Sequence, residues 1–189
     1  MADFADLERI IGPPNHPAAP PDWHGIEEGL GFRFPIDYKR FFDLYCYVQF
    51  DKYLMVYHPG LDVEMRRRRA ISALDSLHAL AVEQGSISIV DDYGDFVREQ
   101  PPFPFFPTQG GLIPWGATEG GEVCMWLMAD PVPEKWPIVV SDGVEWWLHS
   151  AGFADFIVDV MRGSVQCPIF SKDFPGSDRI DQFPIERFG

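Results

Sequence analysis

The chain has 189 residues, 46% of them hydrophobic and 15% aromatic, enough to enclose one sizeable core and far from a disordered composition. Its 15 Lys and Arg stand against 29 Asp and Glu, a formal charge of −14, which excludes nucleic acid and anionic membranes as expected partners because both need a basic surface. No apolar run approaches the ~18 residues of a membrane span, and Met1-Ala2-Asp3-Phe4 lacks the basic start of a secretion signal, so a cytoplasmic protein is expected.

Phe4, Leu7, Ile10 and Ile11 recur at helical spacing and predict a helix over 3–11. The run Pro13-Pro14-Asn15-His16-Pro17-Ala18-Ala19-Pro20-Pro21 forbids regular structure and makes residues 1–21 a helix plus a stiff connector. Asp22 suits the N-cap of a short helix carrying Trp23, Ile26 and Leu30, which Gly29-Leu30-Gly31 ends. Pro35 suits the first turn of the next helix, where Tyr38, Phe41, Phe42 and Tyr45 form one aromatic stripe facing a core.

Phe50 to Tyr57 reads as a strand closed by His58-Pro59-Gly60. The one basic cluster, Arg66-Arg67-Arg68-Arg69, precedes a helical pattern of Ile71, Leu74, Leu77, Leu80 and Ala81, and reads as a solvated helix start or as pairing with the acidic surface. Ile87–Val90 reads as a short strand, and Asp91 through Pro107 as an acidic, then proline- and phenylalanine-rich loop.

Leu112–Trp115 and Glu122–Met128 read as strands joined by the turn 116–121. In the second, Val123, Met125 and Leu127 alternate with Cys124, Trp126 and Met128, so both faces are apolar and the strand belongs in the middle of a covered sheet. Asp142-Gly143 between Ile138–Ser141 and Val144–Trp147 signals a two-residue hairpin turn. Ser150 is positioned to cap a last helix that directs Phe153, Phe156, Ile157, Val160 and Met161 inward and ends at Gly163. Residues 164–189 show no periodicity and read as a tail packed on the domain. The expected fold is α+β in a single domain at 22–163, with a mostly antiparallel central sheet flanked by N-terminal and C-terminal helices.

Chemistry-bearing patterns are fragmentary. Cys46, Cys124 and Cys167 are too few and too widely spaced for a disulfide framework or a four-cysteine zinc site. The five histidines never approach metal-ligand spacing. Asp91, Asp92 and Asp95 could gather a divalent cation in a hydrolase but lack the glutamate and spacing of a calcium loop. Glu119 and Glu122 flank a Gly-Gly turn and could form an acid/base pair. No catalytic residue, metal ligand or cofactor is therefore assigned. Acidity is the stronger signal: residues 70–189 hold 18 acids and 6 bases, a field that steers a basic protein partner.

The segment Trp23-x-x-Ile26-Glu27-x-x-Leu30-Gly31-x-x-Phe34-Pro35-x-Asp37-Tyr38-Lys39-x-Phe41 resembles the opening of the SUKH superfamily, the domain shared by yeast cell-wall regulators and bacterial immunity proteins. Gly116-x-Thr118-x-x-Gly121-Glu122-x-x-x-Trp126 is similar to its central glycine-acid-tryptophan strand. Trp136-Pro137-Ile138-Val139-Val140 and a closing helix with Phe153 and Phe156 follow in the family's order. The resemblance spans about residues 20–163. Phe34 stands where leucine is usual and Glu122 where aspartate is usual, and neither 66–107 nor the tail after Gly163 has a counterpart.

The resemblance implies helices around a mixed or antiparallel sheet, no catalytic residues, and an immunity protein that binds and neutralises a cognate toxin, often a nuclease. A nuclease must itself be basic, which fits the acidic surface. The expected protein-binding residues, all in turns, are Asp91, Asp92, Tyr93, Asp95, Glu119, Glu122 and Asp142. Trp23, Tyr38, Trp126 and Trp136 are expected in the core. The alternative functions are a regulatory adaptor with several protein partners and, behind it, the metal-dependent hydrolase.

Overall fold

The computed structural model describes residues 4–16, 19–59 and 76–184. The Arg66–Arg69 cluster and the Ile71 and Leu74 positions of the helical pattern lie outside them. Three helices open the chain: α1 (Phe4–Ile11), α2 (Trp23–Leu30) and α3 (Ile36–Leu44). The Asp22 carboxylate accepts the Gly25 amide at 3.1 Å and starts α2. Gly31, at φ 77°, ends it in the left-handed conformation that costs glycine little. Glu27 then ties α2 to α3, accepting both the Phe34 amide and the Lys39 ammonium at 2.9 Å. On α3 the expected stripe, Tyr38, Phe41 and Phe42, is buried, and Tyr45 continues it.

The remaining elements are β1 (Tyr47–Phe50), β2 (Leu54–Val56), α4 (76–84), β3 (Ile87–Val90), β4 (Phe96–Gln100), β5 (Leu112–Thr118), β6 (Val123–Leu127), β7 (Ile138–Ser141), β8 (Glu145–His149), α5 (Phe153–Met161) and β9 (Ile180–Phe183). The nine strands among the described residues form one sheet in the order β4-β3-β8-β7-β6-β5-β2-β1-β9. Every neighbouring pair is antiparallel except β3 and β8. The architecture is the expected α+β arrangement.

Several boundaries differ from the sequence reading, each for a local reason. Phe50–Tyr57 is not one strand: Asp51 and Lys52, at φ 49° and 56°, turn the chain into the β1–β2 hairpin. Aspartate enters this region more readily than most residues, and here Asp51 is held by a distant partner, accepting the Gly176 amide at 2.8 Å. The stretch after Asp95 is not all loop, since Phe96–Gln100 forms the edge strand β4. Residues 142–144 all lie in the β7–β8 connection, so the turn is wider than two residues. The Asp142 carboxylate accepts the Val144 and Glu145 amides at 2.8 and 2.9 Å, drawing Val144 into the turn.

Ser150 does not cap α5. Gly152 occupies the N-cap without a side-chain bond, and the Asp37 carboxylate from α3 accepts the Ala154 amide at 2.9 Å instead. The tail returns to the sheet: Cys167, Ile169, Phe170 and Phe174 are buried, and Ile180–Phe183 pairs with β1.

The register divides the core in two. Arg98, Ile89, Trp146, Ser141, Val123, Ala117, Met55, Gln49 and Asp181 form one continuous row across the sheet, and paired residues share a face. On that face Ile87, Ile89, Val123, Met125, Val139 and Trp146 pack against Leu77 and Ala81 of α4 and against Phe105. The adjoining row, Val90, Trp147, Val140, Cys124 and Val56, belongs to the larger core beneath α1, α3 and α5. β6 contributes to both, as its double apolar alternation requires. Gly116 lies within β5, where a Cβ would sit 2.8 Å from the Met55 carbonyl oxygen; only glycine lets β2 and β5 approach there.

Candidate functional site

The β3–β4 connection, residues 91–95, is built by Asp91. Its carboxylate accepts the Tyr93 and Asp95 amides at 2.9 and 3.0 Å, while its own amide donates to the Asp95 carbonyl. Gly94, at φ 81°, supplies the left-handed residue that the turn requires. Asp91 is thus occupied in forming the turn, and its neighbours are displayed by it. Asp92 accepts the indole N–H of Trp147 at 2.9 Å, which pins the hairpin to β8. Tyr93 projects outward with 89% of its surface exposed, and Asp95 is exposed beside it.

The other three expected residues lie elsewhere. Glu119 accepts the Gln49 side-chain amide at 3.1 Å. Glu122 is hydrogen-bonded to the Thr118 hydroxyl, whose oxygen also accepts the Gly120 and Glu122 amides at 3.2 Å. Asp142 holds the β7–β8 turn as described. Relative to the row through Ile89, Trp146, Ser141 and Val123, these three groups flank one end of the strands and Asp91–Asp95 the other. At about 3.3 Å per residue the separation along the strands is roughly 10–15 Å, with the sheet between. Seven residues therefore form two groups.

What joins the Asp91–Asp95 turn is β4, a strand where the sequence predicts a loop. Phe96 and Val97 are 64% and 50% exposed. Register places Phe96 beside Val90, and Glu99 and Glu145 on either side of Ser88. Val97 is the extra residue of a bulge. These residues carried a readable signal: Asp-Asp-Tyr-Gly-Asp between Ile87–Val90 and an aromatic/β-branched start is a hairpin pattern.

Among the described residues no group of three or more His, Cys, Asp or Glu is placed to hold a metal ion. All three cysteines are free and buried. Burial pushes the Cys124 thiol well up and that of Cys167 up to about 12, so both stay protonated, whereas nucleophilic attack needs the thiolate. His149 stacks on Trp147 at 5.0 Å between ring centroids. Burial lowers its basicity against the opposing pull of Asp92 and Asp159. Tyr38, Trp126 and Trp136 are buried, and Trp23 packs half-buried on the same core, its indole N–H bonded to Asp43 at 2.8 Å.

No family model, curated protein or solved structure matches the chain.

Proposed function

We propose that this chain is a non-catalytic protein-binding domain that captures a basic protein, acting as the immunity partner of a bacterial toxin. The observation that carries the reading is the grouping of Tyr93, Phe96 and Val97, three large exposed hydrophobic residues within five positions, on a hairpin whose other exposed side chains are the carboxylates Asp92, Asp95 and Glu99 and the single cation Arg98. Exposed aromatic surface ringed by charge marks protein contact. The −14 charge adds a field that accelerates encounter with a basic partner and disfavours nucleic acid. A toxin that grips nucleic acid carries the complementary charge, and the family that the sequence resembles supplies the biological setting.

The test is co-expression with the product of the neighbouring gene, which this reading expects to be a toxin, together with calorimetric titration of the purified pair. Rescue of growth and a stoichiometric complex are expected. Absence of both binding and protection overturns the proposal, and several partners of modest affinity in a pull-down favour the adaptor alternative.

A further inference from the structure

Resting on the protein-binding reading, we propose that the docking surface is the open corner of the sheet formed by β4, β3 and the start of β8, and that its occupant is a basic, strand-like segment of a partner protein. The two ends of the sheet are treated differently. At one end the edge strand β9, paired among the described residues with β1 alone, keeps all four of its residues half-buried. At the other, β4 pairs only with β3, and the corner outside α5 carries exposed Phe96, Glu99 and Glu145 around half-buried Ser88. Tyr93, Asp92 and Asp95 stand at its rim, and the tail reaches it at Pro168, whose Cβ lies 3.4 Å from the position of a Cβ on Gly94.

Charge identifies the occupant. Residues 85–100 and 142–149 hold six carboxylates against the single guanidinium of Arg98. Arg98 shares the face of Ile89, away from Phe96. Among the described residues Asp92, Asp95, Glu99 and Glu145 form no ion pair. A second copy of this chain would bring −14 against −14 and is disfavoured; lysine or arginine alternating with apolar residues satisfies both the carboxylates and the aromatic centre.

The mode of contact follows from the bulge. Simple extension of the sheet along β4 needs an unbroken ladder, and the extra residue at Val97 interrupts it, a device that guards open edges. Recognition therefore runs through the side chains of Tyr93, Phe96 and Val97, with the carboxylates setting orientation and on-rate.

The experiment uses the full chain, isotopically labelled, and a synthetic peptide alternating lysine with valine; a peptide with glutamate for lysine is the comparison. Amide shifts confined to Ser88, Asp92–Glu99 and Glu145 are expected with the lysine peptide alone. The Tyr93→Ala/Phe96→Ala double variant should bind at least about tenfold more weakly, and Asp95→Asn/Glu99→Gln should flatten the salt dependence. Ile36→Ala, which truncates an exposed apolar residue elsewhere, should stay within about twofold of the parent. No shifts, shifts spread over the acidic surface, shifts centred on 119–122, or undiminished binding by the double variant overturn the proposal. Cells protected from the toxin by Tyr93→Ala/Phe96→Ala as well as by the parent would reject this surface while leaving the immunity reading intact.

Discussion

Asp37 offers a sharp test of how the helices are held together. Its carboxylate accepts two amides, Tyr38 at 2.8 Å in its own helix and Ala154 at 2.9 Å at the start of α5. Gly152 leaves room for this, since a Cβ there would stand 3.2 Å from the carboxylate oxygen. Truncation by Asp37→Ala removes a helix cap worth about 1 kcal/mol and leaves the amide of Ala154, a residue only 5% exposed, without its acceptor, at about 1–3 kcal/mol. The two contributions overlap, so a loss of about 2–3 kcal/mol is expected, or roughly 5–10 °C in Tm for a domain of this size.

Burial raises the Asp37 carboxyl above its ordinary 3.8, outweighing the two amides. The folded state thus binds the proton more tightly than the unfolded one, and the residue's contribution to stability declines as pH rises from near 3.8 through the raised value. Asp37→Asn carries no charge and keeps one of the two acceptor oxygens, which can still receive the Ala154 amide while the Tyr38 amide loses its partner. It should lie within about 1 kcal/mol of the parent at neutral pH and gain on it between pH 4 and 7. Urea unfolding of the three proteins across that range measures this. If Asn proves as damaging as Ala, charge rather than hydrogen bonding holds α3 to α5, and the reasoning fails.

Other consequences are simpler. Trp147→Phe keeps a buried ring but loses the indole bond to Asp92, so it should cost about 1–2 kcal/mol and speed amide exchange at Asp91–Asp95; unchanged exchange there would show the hairpin to be self-supporting. Asp51 behaves oppositely to Asp37, because the Ser177 hydroxyl, with help from the Gly176 and Ser177 amides and Arg179, holds its carboxyl below the ordinary range. Its stabilising effect is full above about pH 4 and fades on acidification, so the Tm gap between the parent and Asp51→Ala should shrink as pH falls below 4. Native protein at pH 8 should leave the Cys124 and Cys167 thiols unmodified by a thiol-specific disulfide reagent, while both react in denaturant; rapid native labelling of either would contradict their burial.

Local chemistry explains what the sequence revealed. Capping, as at Asp22 and Gly31, acts within a few residues, and the two-sided apolar alternation of Val123–Leu127 dictates a central strand whatever surrounds it. The β1–β2 hairpin was hidden because its turn uses Asp51 and Lys52 in a conformation usually signalled by glycine, sustained by the Asp51 contact with Gly176, 125 residues away. The α5 start hides its partner for the same reason: Ser150 is the local candidate, while Asp37 arrives from 117 residues upstream. In the candidate site, turn chemistry makes Asp91–Asp95 visible, but four exposed residues, a half-buried Gln100 and a bulge give β4 no buried face to announce it.

The same division between local and distant causes separates the carboxylates that build from those that are free to bind. Asp91 and Asp142 each fold their own turn through two amide bonds, and Glu122 is tied to Thr118. Replacing them would disturb a turn before it disturbed any partner, so lost binding at these positions would not locate an interface. Asp95, Glu99 and Glu145 are exposed and form no ion pair among the described residues. Two of these three were absent from the residues that the sequence suggested. Acidic turns are conspicuous in a sequence because they shape the chain; carboxylates available to a partner are those the fold leaves unused, and on this sheet they lie beside Phe96.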